Sequence, residues 1–142
     1  MAGTTTGGCL CGRLRYTIDA APAASRVCWC RECQRIAANG TVNVLFPTDR
    51  IALAGTPASF ERRADSGNTI TQRFCPACGT HLFSDSSGRP GLTVVRAGTL
   101  DDPSAFRPSA NIWADRAPAW ACLDATLDHH PGQPAPPPAP AR

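Results

Sequence analysis

The 142-residue chain contains no lysine, and all 14 of its basic side chains are arginines set against 11 acidic ones, for a formal net charge of +3. These arginines are scattered from Arg13 to Arg142 and form no basic run. A nucleic-acid-binding face made by a stripe of positive charge is therefore not expected. Aromatic residues are scarce at 6%, so the core cannot be built chiefly from rings. No apolar run approaches the ~18 residues that suggest a membrane span. The opening MAGTTTGG has neither a basic nor an apolar segment of the secretory kind, and the sequence is read as cytoplasmic, without signal peptide or membrane.

Gly (12), Pro (14) and Cys (8) are plentiful instead. Many turns and short strands are expected. In a reducing compartment eight cysteines point to metal rather than to disulfides. The hydrophobic pattern predicts strands over 13–18, 41–46, 51–53, 59–62, 69–74, 80–84 and 92–97, with a short last strand over 111–113. One helix is expected over 31–38, stopped by Asn39-Gly40. Residues 20–25 read as a Pro/Ala connection. The fold class is thus mainly β, antiparallel, with one short helix. One domain over 1–128 is followed by a Pro-rich tail, 129–142, expected to be extended and disordered.

Seven cysteines fall into three clusters: Cys9-x-Cys11, Cys28-x-Cys30-x-x-Cys33 and Cys75-Pro-x-Cys78-Gly. Four thiolates close a structural zinc site, and three leave a position for a substrate. In the Cys75–Gly79 turn, proline presets the backbone and Gly79 can take the positive φ that turns amides toward the sulfurs. Cys9 and Cys11, a compact pair in a glycine-rich setting, are the best second half of a closed site with Cys75 and Cys78. The rival pairing joins two of the Cys28, Cys30, Cys33 trio to Cys75 and Cys78. A fourth protein ligand to the trio from Cys122, His81 or Glu32 is a further alternative. Cys122 is otherwise expected to pack as a small apolar side chain near Trp120. Three thiolates on Zn²⁺ leave a net charge of −1 and a weak Lewis acid, better suited to an incoming thiol than to making hydroxide.

The stretches GGCLCGRLRY, CWCRECQR and RFCPACGTHLF, with the later residues from Ser109 through Trp113 to Trp120, resemble the glutathione-dependent formaldehyde-activating enzyme family, which includes the centromere protein V domain. The resemblance spans about residues 7–127. It implies a fold of several small antiparallel sheets, a β-tent, around two zinc ions per chain. A structural zinc would fall on Cys9, Cys11, Cys75 and Cys78, and a catalytic zinc on Cys28, Cys30 and Cys33. It implies carbon–sulfur lyase chemistry, with a small thiol such as glutathione and a small aldehyde such as formaldehyde joined to an S-hydroxymethyl adduct. Arg31 and Arg35 are candidates for the thiol's carboxylates and Glu32 for a proton relay; the alternative for the two arginines is a solvated helix face. Trp29 and Asn111 stand where family members often carry histidine, so the substrate is the open question. A non-catalytic, zinc-stabilised binding module is the alternative function, and a zinc-ribbon nucleic-acid binder is the third reading.

Overall fold

A computed structural model describes residues 3–138. Eleven strands occur among them: β1 Thr5–Gly8, β2 Arg15–Ile18, β3 Ala24–Cys28, β4 Thr41–Pro47, β5 Ile51–Ala54, β6 Ala58–Arg63, β7 Thr69–Phe74, β8 His81–Ser86, β9 Leu92–Arg96, β10 Ala110–Ile112 and β11 Asp128–His129. The single α-helix among the described residues, α1, is Arg31–Ala37. The mainly β class with one short helix is as the sequence indicates.

The strands form two sheets, one of three strands in the order β1-β2-β5 and one of eight in the order β11-β10-β3-β4-β9-β8-β7-β6. Most neighbours are antiparallel. The exception is one edge, where β10 runs parallel to both β3 and β11. Parallel neighbours cannot be joined by a tight turn, which is why residues 29–109 intervene between β3 and β10.

Side chains alternate across a strand, and on β4 this separates two environments. Val44 and Phe46 face a core that includes Leu14, Tyr16, Ile18, Phe83 and Val95. That core is the seam between the two sheets. Tyr16 meets Phe83 edge-on with ring centroids 5.1 Å apart, and its hydroxyl shares a 2.8 Å hydrogen bond with Thr99. Burying rings and branched side chains of this size contributes about 1.5–3 kcal/mol each. The opposite face of β4 carries Thr41 and Asn43, and both are buried. Asn43 and Leu45 on that face line a cavity.

Three features depart from the sequence reading. Residues 24–28 form β3, which takes in Ala24 and Ser25 of the expected connection, because Ala24 through Cys28 pair with Leu45 through Thr41. Helix α1 stops one residue early, and the left-handed position falls on Ala38 at φ 58° rather than on Gly40. The Pro-rich segment begins in contact with the domain. His130 accepts from the Ala114 amide, Gly132 accepts from the Trp113 amide, and Gln133 Oε1 accepts from Trp113 Nε1 at 2.9 Å. Residues 139–142 of that segment lie outside the described residues.

Candidate metal centres and the cavity beside them

The loop between β1 and β2 carries Cys9 and Cys11, and the turn between β7 and β8 carries Cys75 and Cys78. The four sulfur atoms lie within 4.8 Å of one another. This cluster therefore bridges the two sheets. Cys9 Sγ is 3.6 Å from Cys11 Sγ, and Cys11 Sγ is 3.7 Å from Cys75 Sγ. A tetrahedral Zn²⁺ with bonds of ~2.3 Å places its sulfurs about 3.8 Å apart, so the donors present fit the ion.

Backbone and hydroxyl donors surround these sulfurs, as thiolates require. The Leu14 amide donates to Cys9 Sγ at 3.2 Å and holds that thiol below its ordinary range. The Thr80 hydroxyl lies 3.2 Å from Cys78 Sγ, and with the Thr80 amide it pulls Cys78 down to about 5. Gly79 has φ +76°, the left-handed turn expected after the second cysteine, and its amide bonds back to the Cys75 carbonyl.

Cys28, Cys30 and Cys33 form the second cluster, again within 4.8 Å of one another. Cys28 ends β3, Cys30 caps α1 and Cys33 sits in its first turn. The Cys33 amide points at Cys30 Sγ from 3.4 Å. The Cys33 thiol is pulled down to about 2 by hydrogen bonds from Cys28 and Cys30, and further by Arg96 and the Thr41 hydroxyl. Cys28 is pushed up by its hydrogen bonds to Cys30 and Cys33 and by burial. The three thiols are thus a donor set of the right kind for zinc.

The sulfurs group as Cys9, Cys11, Cys75 and Cys78 and as Cys28, Cys30 and Cys33, with no cysteine shared between the two groups. No further His, Cys, Asp or Glu joins the trio among the described residues. His81 stacks on Phe74, and Glu32 forms an ion pair with Arg62. Cys122 is exposed rather than packed, and Trp120 beside it is 68% exposed.

The trio opens onto a cavity of about 520 Å³, within the ~300–1,000 Å³ of small-molecule sites. The four-cysteine cluster does not line it. One wall is the polar face of the large sheet, and the Pro-rich segment closes part of the rim with Gln133, Pro134 and Pro136. Of the two helix arginines singled out in the sequence, Arg31 lines the cavity and Arg35 does not. Trp29 is buried, packed so closely on Gly40 that a Cβ there would come within 2.8 Å of its ring. Asn111 turns away from the cavity and donates to the Asp124 carbonyl.

Sequence reasoning missed Arg26, Arg62, Arg89, Arg96 and Arg116, all of which line the cavity. The available signal was the two-residue spacing of Arg26 and Cys28, which places both on one face of β3.

A model of the glutathione-dependent formaldehyde-activating enzyme family matches residues 4–116, a span that includes all seven clustered cysteines. The chain belongs to this family. Its fold also resembles that of a Rhodobacter sphaeroides protein solved by crystallography, with a TM-score of 0.57 at 17% identity over 72% of this chain and 91% of that one. The family match ends before β11 and the segment that rims the cavity.

Proposed function

We propose that this family member is a zinc-dependent carbon–sulfur lyase or synthase, which joins a small thiol to a small aldehyde or releases them from their adduct. The observation that carries this reading is the asymmetry between the clusters. Four cysteines clamp two sheets together away from the cavity, whereas three open onto it.

The first cluster, Cys9, Cys11, Cys75 and Cys78, would hold a structural zinc. Cys28, Cys30 and Cys33 would hold a second. A zinc ion there would accept a substrate thiol as its fourth ligand and make it a thiolate at neutral pH. In the synthetic direction a bond forms from the thiol sulfur to the carbonyl carbon, the carbonyl π pair moves to oxygen, and that oxygen takes up the proton the thiol lost. The reverse direction cleaves the same bond. The protein's own part is positional. Arg96 is held by Thr41, Asn43 and Gln72, and it sets a positive field beside Cys33. Glu32 is engaged by Arg62 at the cavity rim, and Arg31 is oriented by Gln34. We place the protein in a reducing compartment, the cytoplasm, consistent with eight free cysteines. Among the described residues no helix is long and apolar enough to cross a membrane.

The test is metal content with zinc-edge X-ray absorption before and after addition of glutathione, on the intact chain and on Cys30→Ser. Two zincs per chain are expected, one gaining a sulfur neighbour on addition. Cys30→Ser is expected to stay folded and retain one zinc. An unchanged absorption edge with every small thiol tried, together with unfolding of Cys30→Ser, would replace this reading with a non-catalytic binding module.

A further inference from the structure

The cavity holds more positive charge than its cysteines need. Arg26, Asn43 and Arg96 form one cross-strand row on β3, β4 and β9. Arg96 spends its hydrogen bonds on three neutral side chains. Arg26 is only 7% exposed, yet it lines the cavity and has no side-chain hydrogen bond or ion pair among the described residues. Arg89 reaches in from the turn between β8 and β9, with one long hydrogen bond of 3.4 Å to the Ser84 carbonyl. Arg26 and Arg89 feel each other's charge. The nearest carboxylate in Arg89's field, Asp85, is taken by Arg73 at 3.0 Å and by the Thr93 hydroxyl at 2.6 Å.

A buried guanidinium with no hydrogen-bonded partner is costly even with the Cys28 sulfur in its field, and replacing it with an apolar side chain of similar size is commonly neutral or stabilising. Its presence in a cavity wall calls for an anion supplied from outside. A guanidinium fork matches a carboxylate or an equivalent oxyanion. Formaldehyde, uncharged and one carbon long, makes no use of it.

We infer that Arg26, with Arg89 beside it, forms an anion subsite, and that the cavity takes a ligand bearing a carboxylate or similar oxyanion a few bonds from its reacting atom. This rests on the thiol-and-aldehyde reading of the trio. Arg26 and Cys28 share one face of β3 two residues apart, which is about 7 Å along the strand. The charged group and the reacting sulfur or carbonyl carbon therefore belong to one short molecule. That molecule is either a thiol acid or an oxo acid, and the chemistry of its anion is the same.

The test uses the zinc-loaded full chain and two matched pairs of probes: mercaptoacetate against 2-mercaptoethanol, and glyoxylate against glycolaldehyde. Affinity is read by calorimetry and folding by thermal melting. At least one charged probe is expected to bind tenfold or more tighter than its neutral partner, and the pair that discriminates identifies the source of the anion. Arg26→Met is expected to abolish the preference while melting no lower than the wild type. Arg89→Gln, which keeps Arg26, is expected to reduce the preference and serves should Arg26→Met fail to fold. Equal affinity within both pairs would overturn the subsite. So would an Arg26→Met protein that keeps the preference, or one that only loses zinc. Should neither thiol alter the zinc edge while inorganic sulfate still binds in an Arg26-dependent way, the subsite stands and the lyase reading falls.

Discussion

Cys11 and Cys75 are 64 positions apart in the chain, and their sulfur atoms are 3.7 Å apart. The contact joins the β1–β2 loop of the small sheet to the β7–β8 turn of the large one. A metal at that point would close a long loop and add its bonds to a core that the sheets already share.

Cys75→Ser is accordingly expected to cost the domain at least ~3 kcal/mol and to lower the melting temperature by about 10 °C or more. Calorimetric melting checks this. A strong chelator should reproduce the loss in the wild type and change little in the variant. Equal melting of wild type and variant would remove the structural role of this cluster.

Ala38 ends α1 in the left-handed region at φ 58°, where a Cβ carries a steric cost of roughly 1 kcal/mol. Ala38→Gly is expected to stabilise the fold by ~0.5–1 kcal/mol and raise the melting temperature by about 2–4 °C. A lower melting temperature would show that the flexibility gained by the unfolded chain outweighs the strain relieved.

Asp101 accepts from both Arg15 terminal nitrogens, at 2.9 and 2.5 Å, and from the Thr6 hydroxyl at 2.6 Å. Arg15 chiefly, then Thr6, hold its carboxyl down at about 2. A depressed carboxyl contributes stability that is complete above its unfolded pKa of ~3.9 and fades as pH falls through the folded value. The domain is expected to lose stability between about pH 4 and pH 2, less steeply in Asp101→Asn. Parallel acid-denaturation curves for the two proteins would contradict this linkage.

The amides of Trp113 and Ala114 donate to the carbonyls of Gly132 and His130 at 3.1 and 3.0 Å. Truncation after Asp128 removes both acceptors, and Gln133, Pro134 and Pro136 with them. Hydrogen exchange at these two amides should accelerate at least tenfold, while the amides of β4 remain protected. Unchanged exchange at Trp113 would mean that the segment does not hold this end of the cavity.

The readable parts of this fold were those whose signal is local. Val42, Val44 and Phe46 alternate against Thr41 and Asn43, so β4 announces itself. The Cys75-Pro-x-Cys78-Gly turn fixes its own geometry, and Gly79 takes the expected positive φ. Strand β3 was obscured by the residues of a connection, because its pairing with β4 and its parallel pairing with β10 come from distant segments. Cys122 gave no usable signal, since an isolated cysteine is as compatible with a packed position as with the exposed one it occupies.

The sequence by itself determined the donors. Seven cysteines in three tight spacings offer sulfur donors of the kind that suits soft metals, because sulfur ligation and turn geometry are local properties. Tertiary structure alone decided how those donors divide, since bringing Cys9 and Cys11 to Cys75 and Cys78 requires two sheets to pack on one core. It also decided what the arginines mean. Scattered along the chain they define no face. The alternation of β3 and β9 places Arg26 and Arg96 in one buried row, the turn before β9 brings the half-buried Arg89 to the same cavity, and together they make one positively charged wall beside three thiols.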